Sequence, residues 1–282
     1  IFFFFHKDNK SDLTSFFWLS KETSIIINNW FMMYFLSVVL IGTVYPIFLD
    51  VISSQKISVG PPFYSKLIIP FLIPFLLMMA IGPRLKWIKS NLEDKQYLLI
   101  LLVVSILLSF LIIRSFETKI LINTILITSA FYLFFITLRD FFIKGYKNIS
   151  QNISHFGFSL LILSILFNNL FSTEIITNLK VGETFDIKNT KIIFKNISQK
   201  KEKNYQSIIG NFSIQNLNGK IENLSPELRI YNQPNIVTSE ADIKTTLKSD
   251  KFIVINLVQN QDYFNVRYQV KPFMLWIWLS AL

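Results

Sequence analysis

The sequence predicts a multi-span α-helical membrane protein that carries a small all-β domain outside the bilayer. Three observations lead there. The 282 residues are 51% hydrophobic and 16% aromatic, too apolar for an ordinary soluble domain. Several segments reach the roughly 20 apolar residues a helix needs to cross a membrane. From residue 173 the pattern changes to alternating apolar and polar positions, the period of half-buried strands.

The helical region is expected over 1–172, with spans at about 25–49, 67–87, 97–113, 120–138 and 152–171. An opening IFFFF is followed by a polar stretch with Lys7, Lys10, Lys21 and His6, which reads as an interfacial histidine. Between the first two spans, Gly60, Pro61 and Pro62 of ISVGPPFYSK predict an extended, turn-rich loop. Pro70 and Pro74 predict a kink or break in the second span. A tight SFETK connection joins the third and fourth. Loops on one side carry ten Lys/Arg: Lys7, Lys10, Lys21; Arg84, Lys86, Lys89, Lys95; Arg139, Lys144, Lys147. The other side carries Lys56, Lys66, Arg114 and Lys119. The excess assigns the first group to the cytoplasm and the region after the fifth span to the far side.

Residues 173–269 are expected to form that extracytoplasmic domain, a barrel or sandwich of six or more strands. Asn218-Gly219 signals a type I′ hairpin, and a second hairpin is expected near Asn260–Asp262. Residues 270–282 read as the start of a further span, with Trp276 and Trp278 in an interfacial aromatic belt. Ile1 in place of methionine and an apolar run at each end make us expect a piece of a longer chain.

The net charge of +10 reflects lysines at membrane borders, and no basic-aromatic module for nucleic acid is present. The absence of cysteine excludes disulfides and thiolate chemistry in this chain. No G-x-S-x-G, H-E-x-x-H or phosphate-binding glycine loop occurs. With two histidines in all, attention falls on His155 in the fifth span, since an ionisable or metal-liganding group in a bilayer is costly. Asn152, His155 and Ser159 share one helix face by spacing. His155 can be an axial haem ligand, a proton-relay group or a helix-packing residue, and the residues alone leave all three open.

Seven motifs in order resemble the C-terminal half of the CcmF family of cytochrome c-type biogenesis proteins. They are SKETSIIINN (20–29), GTVYP (42–46), ISVGPPFY (57–64), GPRLKW (82–87), SHFG (154–157), SPELRIYNQPNIVTSEADI (225–243) and VRYQVKPFMLWIW (266–278). The resemblance implies that His155 is one axial ligand of a haem b among the helices. It places the second ligand and the tryptophan-rich motif upstream. It implies a haem lyase of the bacterial inner membrane, ahead of the mitochondrial one, working with CcmH-type subunits, the haem chaperone CcmE and apocytochrome c. The family-patterned Glu227, Arg229, Tyr231, Thr238 and Glu240 are expected to contact a partner or substrate, or to maintain the fold. The loop with Gly60, Pro61 and Pro62 is expected to line a binding site, or simply to join helices. Competing readings are a non-catalytic scaffold docking maturation subunits, a homologue specialised for a nitrite reductase haem site, and a haem transporter.

Overall fold

A computed structural model describes residues 20–53, 57–87, 94–116, 120–144, 149–187, 190–216, 219, 221–258 and 262–282. The opening IFFFF, His6, Trp18, Glu117–Lys119, Asn218 and Asn260 lie outside the described residues. The chain divides into two units, Ile1–Ser159 and Leu160–Leu282.

In the first unit, α1 (Lys21–Ser53) begins at Ser20, whose hydroxyl accepts from the Thr23 amide at 3.3 Å and so caps the helix. α2 (Pro61–Ile81) starts inside the expected loop. Prolines are suited to the first helical positions, where the missing N–H would have no partner anyway. Gly60 is the extended N-cap, so PPFY is helix and not loop. Pro70 and Pro74 lie inside α2 without interrupting it. A 3-10 turn, Gly82–Arg84, ends the segment. α1 and this segment approach closely at Gly42 and Gly82. A Cβ on Gly42 would sit 2.7 Å from the Tyr64 hydroxyl, and one on Gly82 would collide with Ser24 Oγ.

α3 (Lys95–Ile113), α4 (Ile120–Lys144) and α5 (Ile149–Phe171) complete the helices. These five helices are long and apolar enough to cross a membrane. α4 packs on α2 and α3, and its Ala130, Leu133 and Ile136 are buried. Small hydroxyl residues sit inside the bundle. Ser109 donates to the Ser105 carbonyl at 2.6 Å and Ser105 to Leu101 at 2.7 Å, so their polar atoms are satisfied without leaving the helix.

Among its described residues the second unit holds the end of α5 and ten strands: β1 (Thr173–Leu179), β2 (Thr184–Ile187), β3 (Thr190–Lys201), β4 (Tyr205–Asn216), β5 (Ile221–Leu224), β6 (Glu227–Tyr231), β7 (Val237–Glu240), β8 (Asp242–Thr245), β9 (Ser249–Leu257) and β10 (Phe264–Pro272), then α6 (Met274–Ala281). One sheet has the order β1-β10-β9-β8. The other runs β2-β3-β4-β6-β7, with β5 also on β4. The alternation in sequence becomes a sandwich core of Phe194, Phe212, Ile214, Ile253, Ile255 and Val266. Phe194 and Phe212 stack at 4.4 Å beside Gly210, where a Cβ would come within 3.0 Å of the Phe212 ring. Both expected hairpin positions are flanked by antiparallel pairs, β4–β5 and β9–β10, and Gly219 takes φ +72° in the first.

One inward position on β5 is charged. Glu222, in the row with Leu224, receives a 2.9 Å hydrogen bond from Lys251 Nζ on β9, joining the two sheets. Tyr268 on β10 lies in the same core, and its phenol is pushed up to about 12 by burial, with the Glu222 charge adding to the effect.

Candidate functional site

The first turns of α5 set the site. Helical spacing carries Asn152, His155 and Ser159 down one side, and the structure turns that side toward α4. Ser159 Oγ lies 3.1 Å from Thr137 Oγ1 of α4 and donates to the Phe156 carbonyl at 2.8 Å. Aromatic contacts fix the helix on its other flanks. Phe156 meets Phe134 and Phe141 of α4, and Phe158 meets Phe75 of α2 edge-on. These contacts fix the turn of the helix that carries His155.

His155 lines two cavities of about 130 and 190 Å³, and Lys21, Met79, Pro83 and Gln151 line both with it. The first also has Thr137, Asp140 and Asn152 in its wall; the second has Ser24, Ile25, Asn28 and Met78. Asp140 accepts from Arg84 Nη2 at 2.6 Å, with both side chains largely buried. Arg84 Nε is buried without a hydrogen-bond partner. Lys21 Nζ sits 5.2 Å from the Trp87 ring centroid, and the Lys21 amide donates to the Lys86 carbonyl, so the start of α1 and the end of α2 hold that amine at the recess.

These residue types fit an iron porphyrin. His155 would offer an imidazole nitrogen to the iron. Ile25, Met78, Met79 and Pro83 offer apolar flanks for a macrocycle, and Lys21 offers a cation for a propionate. Asp140, bound to Arg84, is part of a neutral pair and would not repel a propionate.

The other residues singled out from sequence lie elsewhere. Gly60, Pro61 and Pro62 are at the opposite end of α2 from Met79, roughly 26 Å away at 1.5 Å per residue. Glu227, Arg229, Tyr231, Thr238 and Glu240 belong to the second unit. Register pairs Glu227 with Glu240 and Arg229 with Thr238, so all five share one face of the β6–β7 pair. Arg229 Nε donates to Glu227 at 3.1 Å and stacks 5.2 Å from the Tyr205 ring, itself 5.3 Å from Tyr231. Thr238 donates to Glu240 at 3.2 Å. The Glu227 carboxylate, with Tyr231 next, holds the Arg229 guanidinium above its ordinary range.

Sequence reasoning missed Lys21, Gln151 and the Arg84–Asp140 pair. The available signal was Asp140 itself, an acid at the end of an apolar span, which calls for a cation nearby.

Comparison with known proteins follows the same division. Residues 170–272 match the family model described as the CcmF C-terminal β-sandwich. The cytochrome c-type biogenesis protein CcmF of Pseudomonas fluorescens is 27% identical over 280 residues, and that of Escherichia coli K12 is 26% identical over 273. Each alignment covers 93% of this chain and 42% of the relative. The biogenesis protein NrfE of Haemophilus influenzae is 21% identical over 274 residues. The solved structure of the Cytochrome c Heme Lyase CcmF shares the fold, with a TM-score of 0.71 at 18% identity, over 94% of this chain and 44% of that one. The chain thus spans less than half the length of the relatives it matches. Residues 170–272 match the CcmF C-terminal β-sandwich, and over 93% of its length the chain is similar to the CcmF proteins of cytochrome c-type biogenesis.

Proposed function

We propose that this chain supplies one axial iron ligand, His155, to a haem b held among the helices of a haem lyase that matures c-type cytochromes. The observation that carries the reading is the recess itself. One imidazole on a braced helix faces a space with thioether and aliphatic flanks and a single lining amine. In that reading the haem supplies one-electron chemistry that keeps an incoming haem iron reduced. His155 would hold the iron, the Phe156 and Phe158 contacts would hold His155, Lys21 would orient a carboxylate, and the Arg84–Asp140 pair would keep a second negative charge from the site.

The resemblance supports a bacterial inner-membrane location, with CcmH-type subunits, CcmE and apocytochrome c as partners. The lysine asymmetry supports an extracytoplasmic β domain, where apocytochrome thiols are presented. The face bearing Glu227, Arg229, Tyr231, Thr238 and Glu240 is the surface we assign to partner contact.

The test uses the full-length protein purified in detergent. It should show a bis-histidine b-type haem spectrum, and His155→Ala should lose that haem together with holocytochrome c formation. Haem content unchanged in the variant would overturn the ligand assignment.

A further inference from the structure

We propose that the turn between β8 and β9, Thr246–Ser249, anchors the β domain to the membrane surface. Leu247 enters the acyl edge of the bilayer and Lys248 takes the phosphate of an anionic phospholipid.

We take the boundary between bilayer and water from two chain segments that lie side by side. α5, apolar enough to span, ends at Phe171, and α6 begins at Met274. Asn168 Nδ2 donates to the Pro272 carbonyl at 2.6 Å, and Phe167 and Phe273 pack at 5.4 Å, so the end of one helix lies beside the start of the other. The β8–β9 turn is fastened to this same level through both of its central carbonyls. Trp276 Nε1 donates to Leu247 O at 3.0 Å and the Phe273 amide to Lys248 O at 3.0 Å. Thr246 and Ser249 close the turn on themselves at 2.7 and 3.1 Å. A turn tied to a tryptophan at a membrane entry sits at that tryptophan's depth.

The side chains suit that depth. Leu247 is 70% exposed and Trp278 65%, an arrangement that water disfavours and an acyl layer accepts. A groove of about 560 Å³ runs between the turn and the helix ends, lined by Phe171, Leu247, Pro272, Phe273 and Trp276 with Lys248 as its one charge. An apolar trough with one ammonium at its rim has the chemistry of a phospholipid, chain in the trough and phosphate at the amine.

The chain has no cysteine, so single labels are specific. A nitroxide on Leu247→Cys, with the chain in nanodiscs of phosphatidylethanolamine and phosphatidylglycerol, should collide with oxygen more than with a water-soluble nickel complex. The ratio should be several-fold higher than for a label at Lys203→Cys on the β3–β4 turn. On the Leu247→Cys background, Lys248→Glu should lower the ratio in these discs and leave it unchanged in phosphatidylcholine discs. Equal ratios at 247 and 203 would place the turn in water and overturn the proposal. Shielding of Leu247 from both reagents would mean that protein covers it, and would overturn it equally. A Lys248→Glu effect of the same size in both lipids would overturn the assignment of Lys248 to an anionic phospholipid.

Discussion

The two units of this chain differ in what they leave outside. In the helical unit many large apolar side chains face outward, Ile47, Val51 and Phe142 among them, while Ser105, Ser109, Ser129, Asn152 and Ser159 are buried along with Leu133 and Ile136. In the β unit Phe194, Ile214, Ile255 and their neighbours are inside. Between helices in lipid there is no hydrophobic preference for the interior, so polar groups and close packing decide what faces in. In the β unit the driving force is removal of apolar surface from water. Each unit nonetheless buries an ion pair, Arg84–Asp140 in one and Glu222–Lys251 in the other. The pairs do different work. The first neutralises the wall of a recess, and the second bolts two sheets together across a core.

Breaking one partner of either pair gives the largest effect. Lys251→Met leaves the Glu222 carboxylate, 4% exposed, without its ammonium, and should cost about 3–5 kcal/mol. Faster hydrogen exchange in peptides covering β5 and β9 would report it. Replacing both, Glu222→Leu with Lys251→Met, should recover most of that loss, because an apolar core accepts two apolar side chains. Arg84→Met should destabilise the helical unit by a similar amount. Its double variant with Asp140→Leu should restore the fold and yet still change the electrostatics of the recess. A double variant as damaged as the single in the β unit would mean that the sheets depend on the pair itself.

The same contrast explains what is legible in the sequence. Apolar length marks the helices, and alternation such as TFDIKNTKIIF marks the strands, because each reflects burial directly. KFIVINL is harder. Four of its first five residues after Lys251 are apolar, on both faces, so the inward row Lys251, Ile253, Ile255 cannot be picked from pattern alone. Nor can a lysine on that row announce a glutamate 29 residues earlier. Pro61-Pro62 reads as loop because proline stops helices more often than it starts them, yet at the first positions it costs nothing. His155 stands out as a lone imidazole in a span. Its surroundings, Lys21 on α1 and Asp140 on α4, depend on which helices meet, and loop sequences do not encode that.

A smaller effect sharpens the β side. The Tyr268 phenol ionises near 12 in the fold against about 10 when unfolded. The folded state keeps its proton longer, so the stability it lends is full below pH 10 and falls as pH rises toward 12, by roughly 2–3 kcal/mol. Tyr268→Phe should flatten that segment of the stability–pH curve relative to wild type while leaving other tyrosines and lysines to titrate as before. A variant that follows the wild-type curve between pH 10 and 12 would remove Tyr268 as its source.

The smallest effect comes from an ion pair in the same domain that water reaches. Glu174 on β1 meets Arg267 on β10, one step diagonal from its register partner Gln269, with both side chains more than 40% exposed. The hydrogen bond from the Arg267 guanidinium holds the Glu174 carboxyl below the usual carboxylate range. By sign, whatever stability this lends is present above the ordinary carboxylate pKa and is lost as pH falls through the lowered one. Solvent screens the pair and the two long side chains must be ordered to form it. Glu174→Gln should therefore leave hydrogen exchange along β1 and β10 unchanged at neutral pH, and added salt should do the same to the wild type. Glu174 and Glu222 each pair with one cation across strands, and burial is the main difference between them. If Glu174→Gln opened the sheet as Lys251→Met does, burial would not be what separates them.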